Sequence, residues 1–379
     1  MPERPHTQAH TQAHTPAHTD ARFAPARAIL EHAIAQRAFP GAAFGVLHQG
    51  ALAAVDAVGR FTYQPDSPLV RPETVFDLAS VTKAVATTSA AMLLFDRGRL
   101  DLDSRLGDIL PGFVIGMEHG SGKERVTLRM LLTHTSGLPA YETLFRTCVT
   151  PDALLRATLR MQLEAAPGTR TEYSDFGFIL LGKAIEILSG QPLDSFCARE
   201  IFSSLGLETA RFRPSTQMRP AIPPTEDDQT FRHSVIQGEV QDENCYVLGG
   251  VAGHAGLFAN VPDLLRFAQV LLSEGRTASG SQLFRPETVS LFTTRQTASD
   301  KKSRALGWDV PTEPSSSGRC FGPRSIGHLG YSGCSLWIDP GQQLAVALLT
   351  NRTWPDRGNQ AIKQVRPAFH DAVVEALRA

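Results

Sequence analysis

The 379 residues contain no cysteine pair of the Cys-x-x-Cys kind. The five cysteines, Cys148, Cys197, Cys245, Cys320 and Cys334, are scattered along the chain. An odd, widely spaced set excludes a disulfide framework and reads as reduced thiols in a reducing compartment. Long apolar runs are also missing. None reaches the roughly 18–20 residues a membrane span needs. The first residues carry no apolar h-region of a secretory signal, so a cytoplasmic location is expected. Charge of one sign is scarce as well: 37 Lys and Arg stand against 38 Asp and Glu, a net of −1 with no basic cluster. Nucleic acid and anionic membranes are thereby excluded as expected partners.

Several catalytic signatures are absent too. No serine sits in a Gly-x-Ser-x-Gly elbow, which counts against an α/β-hydrolase. Gly122-Lys123 runs into Glu124 and has no glycine five residues earlier, so there is no P-loop. No His-Glu-x-x-His and no His/Cys/carboxylate cluster occurs outside the N-terminal tail, leaving zinc catalysis without ligands. Gly249 to Gly256 is glycine-rich but lacks the strand-before, helix-after setting of a dinucleotide loop. It reads as tight backbone packing near a site. No cofactor or metal is expected.

What is present begins with a tail. Histidines 6, 10, 14 and 18 recur every four residues among Thr, Gln, Ala and Pro, a composition expected to be disordered over residues 1–21. Helical spacing follows over Arg22 to Ala38. Two short runs, Ala42 to Leu47 and Ala51 to Val58, flank a His48-Gln49-Gly50 turn and predict a hairpin. The middle is mostly helical, with candidates at 127–132, 151–160, 176–188 and 194–205, each bounded by Gly or Pro. Residues 211–244 are polar and rich in proline, and read as a long loop or lid. Helix returns at 262–272. The last third predicts strands at 306–310, 325–329, 335–338 and 344–350, then a helix over 360–377. Strands at the two ends of the chain sharing one sheet, with the helical middle inserted, make an α+β architecture. Residues 22–104 and 246–379 form the sheet-plus-helix domain, and 105–245 the insertion.

Chemistry concentrates in Phe76-Asp77-Leu78-Ala79-Ser80-Val81-Thr82-Lys83, which runs into a buried apolar helix. Residues three apart share a helix face, so Lys83 reaches back to the Ser80 hydroxyl. The free N–H groups of a helix start meet developing negative charge. A nucleophile, an amine and an oxyanion donor thus fall within four residues. Ser299-Asp300-Lys301-Lys302 has the same spacing but stands in a polar run. Two further stretches complement Ser80. Tyr173-Ser174-Asp175 lies between a Pro167-Gly168 turn and a helix, with Asp175 placed as its N-cap. Gly327-His328-Leu329-Gly330-Tyr331 has a strand histidine flanked by glycines, a mark of close approach. Acyl transfer through serine is the chemistry that survives.

These phrases resemble the serine β-lactamase and penicillin-binding-protein superfamily, in the branch of class C β-lactamases, D-amino-acid peptidases and related esterases. The resemblance also rests on Leu131-Leu132-Thr133-His134-Thr135-Ser136-Gly137-Leu138-Pro139, Gly253-His254-Ala255-Gly256-Leu257-Phe258 and Thr350-Asn351-Arg352. It implies a mixed, mainly antiparallel sheet flanked by helices, with an inserted all-helical domain and the site at the junction. It further implies Ser80 as nucleophile, Lys83 as the assisting amine and Tyr173 as proton shuttle, with His328 in place of the third-motif lysine. The oxyanion hole would be the backbone N–H groups of Ser80 and Tyr331. Asp175, Gly330 and His254 are candidates that line or support the substrate pocket.

Two departures narrow the substrate. Asp175 stands where β-lactam- and peptide-cleaving members usually carry Asn. An ionised carboxylate accepts hydrogen bonds only, and it favours a charged Lys83. His328, unlike a lysine, carries only part of a charge near neutral pH. Both changes favour carboxylic esters or small acyl groups over anionic amides. A weak β-lactamase or D-alanyl peptidase, and a non-catalytic binding or assembly protein on the same scaffold, remain the alternatives.

Overall fold

A computed structural model describes residues 20–115, 120–296 and 303–379. Most of the His-rich tail (1–19) and the second Ser-x-x-Lys, at 299–302, lie outside the described residues. Strands β1 (Gly41–His48), β2 (Ala51–Gly59) and the short β3 (Phe76–Asp77) precede the helix that follows Ser80. After the helical middle come β4 (Arg211–Phe212), β5 (Pro224–Asp228), β6 (Ser234–Gln237) and β7 (Leu257–Ala259). The C-terminal part supplies β8 (Arg304–Ala305), β9 (Trp308–Asp309), β10 (Ile326–Leu329), β11 (Ser335–Asp339) and β12 (Leu344–Thr350).

The main sheet has the order β2-β1-β12-β11-β10-β9-β8, and its pairings are antiparallel. The first and last strands of the chain are neighbours inside it, Ala42 opposite Thr350 and His48 opposite Leu344. The sheet is buried on both faces. On β12, Leu344, Val346 and Leu348 point into the layer made by the helices Ala24–Ala35 and Ile362–Arg378. Ala345, Ala347 and Leu349 point into the other layer, which holds Val261–Leu272 and the apolar helix after Ser80. A strand with period-two alternation and two covered faces reads as one continuous apolar run, which is how Leu344–Thr350 looks in sequence. The second face carries small residues. A Cβ on Gly45 would crowd Val261 and Leu265, so this glycine lets the Val261–Leu272 helix lie close on the sheet.

Three elements differ from the sequence expectation. In place of one strand over 306–310 there are two short ones, Arg304–Ala305 and Trp308–Asp309, because Gly307 turns the chain between them with φ +81° beside Thr88. The segment 211–244 is not a plain loop. It holds β4, the antiparallel hairpin β5–β6, and the start of a helix at Glu243–Val247. Its prolines and acidic residues mask the strand pattern, yet Glu226, Asp227 and Asp228 pair with Ile236, Val235 and Ser234. Finally, the helix Asp175–Ser189 is capped by Ser174, whose hydroxyl accepts from Gly177 N at 3.2 Å. Asp175 is its first residue instead of its cap, and its carboxylate is free for other work. Among the described residues no single helix is long and apolar enough to cross a membrane.

Candidate active site

At the end of β3 the chain turns sharply through Ala79, whose φ of +47° is uncommon for a residue with a Cβ. Hydrogen bonds hold that conformation. Asp77 Oδ1 accepts from Ala79 N (2.8 Å), and Thr82 Oγ1 donates to Ala79 O (2.6 Å). The other Asp77 oxygen accepts from Gln241 N at 2.7 Å, tying the turn to the 211–244 segment. Burial pushes the Asp77 carboxyl up to about 6, against the pull of those two N–H donors. Ser80 follows directly, half-buried. The helix behind it opens as a wide π turn over Lys83–Thr88, a form found mostly at functional sites.

Lys83 is wholly buried, and three acceptors surround its Nζ. These are Ser80 Oγ (2.9 Å), Asp175 Oδ1 (2.6 Å) and the carbonyl of His254 (3.0 Å). Three acceptors match the three N–H bonds of an ammonium. Burial lowers the Lys83 pKa, but Asp175 and Tyr173 outweigh it, and the net shift is upward. The His254 carbonyl reaches this point because two glycines let two elements touch. A Cβ on Gly253 would overlap the Phe178 carbonyl, and one on Gly182 would crowd Gly253. The Gly253 carbonyl accepts from Thr87 Oγ1 at 2.7 Å. His254 therefore enters the site through its backbone. Its ring bonds Asp242 at 2.8 Å and, despite burial, holds that carboxyl below the usual range.

The phenol of Tyr173 interacts electrostatically with Lys83, whose Nζ lies 4.8 Å from its ring centre, and it lies beside Ser80. Burial raises its pKa above the ordinary value, so the resting group is a neutral phenol. The ring is clamped. His134 packs on it at 4.6 Å and on Phe178 at 5.1 Å, and the Arg304 guanidinium lies 5.3 Å from its centre. His134 Nδ1 accepts from Ser174 N at 3.0 Å, which makes it the neutral imidazole with the proton on Nε2. Burial keeps its pKa well below 6.5.

His328 sits on β10 facing Tyr173, with ring centres 6.1 Å apart. It is buried, and desolvation, with Lys83 nearby, depresses its pKa well below 6.5. The partly charged imidazole expected from sequence is thus a neutral one. Its Nδ1 faces the Leu329 carbonyl at 2.9 Å, so Nδ1–H donates there and Nε2 is left as a buried acceptor without a partner among the described residues. Beyond it, Gly330 approaches the Leu78 carbonyl so closely that a Cβ would stand 2.5 Å from it. Ser332 Oγ donates to Asp77 O at 2.7 Å. The end of β10 is thus stitched to the turn that carries Ser80. Among the described residues neither the Ser80 nor the Tyr331 N–H donates to a protein acceptor. The Tyr331 ring is half exposed under the Arg352 guanidinium.

The structure therefore brings Ser80, Lys83, Tyr173, Asp175, His328 and the His254 carbonyl to one place. Asp77, His134, Asp242 and Arg304 join them without having been singled out in the sequence. Asp77 and His134 do lie inside phrases on which the resemblance rests, so position alone could have raised them. Asp242 and Arg304 have no local signal, because only tertiary folding brings them near.

The profile of the Beta-lactamase family matches residues 26–368. An N-acetylmuramyl-L-alanine amidase of Bacillus subtilis (strain 168) is 33% identical over 354 residues, covering 83% of this chain and 77% of that protein. Among solved structures, EstCE1, described as a hydrolase with promiscuous acyltransferase activity, superposes with a TM-score of 0.75 at 20% identity, over 93% of this chain and 99% of its own. A penicillin-binding-protein homologue from Caulobacter crescentus gives 0.74 at 20% identity, over 94% and 98%. At such identity the two structures speak for the fold alone.

Proposed function

The chain belongs to the beta-lactamase family, and from that premise we propose that this serine hydrolase works through an acyl-enzyme on Ser80, with carboxylic esters of uncharged acyl groups as its preferred substrates. The observation that carries the reading is the threefold coordination of Lys83 Nζ by Ser80 Oγ, Asp175 and the His254 carbonyl. An ammonium whose three N–H bonds are all engaged has no lone pair with which to take the serine proton. It stabilises charge at Ser80 Oγ and leaves proton transfer to Tyr173.

The relay balances without a separate base. As Ser80 Oγ bonds to the acyl carbon, its proton passes to the Tyr173 oxygen, and the phenol's own proton goes to the leaving alkoxide. The ester C–O bond breaks, and the alcohol departs. Water then attacks the acyl carbon, gives a proton to the Tyr173 oxygen, and Tyr173 returns one to Ser80 Oγ. The oxyanion in each step is met by the Ser80 and Tyr331 N–H groups. Support for an uncharged acyl group comes from the neutral His328, which offers no cation to a carboxylate, and from Asp175, which offers no donor to an amide carbonyl.

Amide or peptide hydrolysis is a second reading, favoured by the name of the Bacillus subtilis relative. A fluorophosphonate probe with adduct mapping, followed by turnover of a matched ester, amide and chromogenic cephalosporin, separates the two. Labelling at Ser80, lost in Ser80→Ala, with ester turnover ahead of amide is the expected outcome. Labelling that persists in Ser80→Ala refutes the nucleophile, and faster amide or lactam turnover refutes the ester preference.

A further inference from the structure

Arg366, on the helix Ile362–Arg378, is buried, and among the described residues its hydrogen bonds go to backbone carbonyls alone. Nη2 donates to Gly330 O at 2.6 Å and to Cys334 O at 2.7 Å, and Nε donates to Gly333 O at 3.1 Å. No carboxylate is among the groups that shift its pKa, which burial lowers to about 10. A buried charge without a counter-ion is costly, so a cation retained there calls for a reason beyond filling space.

The reason lies in which peptide it touches. The Gly330 carbonyl and the Tyr331 N–H belong to one peptide unit. That unit is trans, as the cis bonds of the described residues lie elsewhere, before Pro314 and Pro355. In a trans unit the C=O and N–H point in opposite directions. Arg366 therefore grips the carbonyl end while the N–H end is aimed away from it, free of any protein acceptor among the described residues. The same oxygen also accepts from Gly333 N at 3.1 Å, and Arg352 Nε holds the next carbonyl, Tyr331 O, at 2.7 Å. Hydrogen bonding to a peptide carbonyl draws electron density from its nitrogen and strengthens the N–H as a donor.

We propose that Arg366 is a positioning residue of the oxyanion hole, fixing and polarising the Gly330–Tyr331 peptide so that its N–H meets the negative charge of the acyl-transfer transition state. This inference rests on the acyl-enzyme reading above. The negative charge forms on the substrate oxygen, and Arg366 acts on it only through that peptide.

The test acylates Ser80 with an ester labelled with ¹³C at its carbonyl and reads the acyl C=O stretch by isotope-edited infrared spectroscopy, in the native protein, Arg366→Met and Arg366→Gln. Gln keeps hydrogen bonding to the carbonyls but carries no charge. Both variants are expected to move the band to higher wavenumber. They should lower kcat by about 10- to 100-fold with KM within about twofold, short of the roughly 10²- to 10³-fold cost of losing a whole oxyanion donor. A merely structural arginine would lower the melting temperature and leave band and kcat unchanged well below it. That result overturns the inference alone. Should Arg366→Met fail to fold, the band and kcat of Arg366→Gln decide in the same way. Absence of any Ser80 adduct in the native protein overturns the acyl-enzyme reading and this inference with it.

Discussion

Replacing Asp175 with Asn changes one atom and tests the charge state on which the proposed chemistry turns. Lys83 is wholly buried, with Nζ 2.6 Å from the carboxylate. At an effective dielectric of about 20, that separation corresponds to an attraction of roughly 6 kcal/mol. The amide oxygen of Asn still accepts one hydrogen bond and recovers about 1 kcal/mol or more of this. Removing one member of a buried pair costs about 3–5 kcal/mol, and Asp175→Asn is expected in that range by urea denaturation at pH 6. The deficit should shrink at pH 9. In the variant the uncompensated ammonium is disfavoured, so the folded state binds fewer protons than the unfolded state below the lysine's unfolded pKa of about 10.4. Stability of the variant then rises with pH across that window. In the native protein the raised Lys83 pKa keeps the proton bound in both states, and no such rise appears. A deficit under about 1 kcal/mol, as for an exposed ion pair, or one equal at both pH values, refutes the view of Lys83 as an ammonium held by Asp175.

Tyr173→Phe removes the proposed proton relay and should reduce kcat on an alkyl ester by about 10²- to 10⁴-fold. The loss on a p-nitrophenyl ester should be at least about tenfold smaller, since nitrophenolate leaves without a proton. Equal losses on the two esters would rule out transfer to the leaving group. Asp77, raised by burial to about 6 from an ordinary value near 4, makes the folded state bind more protons than the unfolded one between those limits. Native stability should therefore fall by about 2 kcal/mol relative to Asp77→Asn as pH rises from about 4 to 6. Parallel pH profiles by denaturant titration would remove the buried carboxyl as the cause.

The parts of this molecule that were readable in sequence are those fixed by local chemistry. Ser80 and Lys83 stand one turn apart, and Leu344–Thr350 is an uninterrupted apolar run, so the contact of the first pair and the bounds of the strand follow from spacing. Asp175 was placed one residue wrong in function. Its neighbour Ser174 is an equally good cap, and only the approach of Lys83 from 92 residues away decides which side chain turns outward. The hairpin β5–β6 escapes the sequence pattern because its inward positions are carried by Thr, Glu and Asp, whose charge is met by partners such as the half-buried Arg357, which pairs with Glu226 and with Glu243. Burial of His328 and the carbonyl grip of Arg366 depend on three-dimensional surroundings. An imidazole on a strand looks the same in sequence whether water reaches it or not.

The antiparallel pairing of β1 with β12 carries a consequence for how the protein comes into being. Ser332 bonds the Asp77 carbonyl across 255 residues of chain, and β1 finds its central neighbour only in the last strand made. At synthesis rates of about 5–20 residues per second, a nascent chain waits roughly ten to fifty seconds between exposing Ser80 and receiving Tyr331. Through that interval the apolar edge of β1 and the nucleophile turn exist without their closing partner, open to aggregation and to chaperones. A ribosome-stalled chain truncated before β10 would carry the serine and lysine side by side and still lack the Tyr331 N–H of the proposed oxyanion hole. On the proposed mechanism, activity arrives only at the end of translation, with the closing of the sheet.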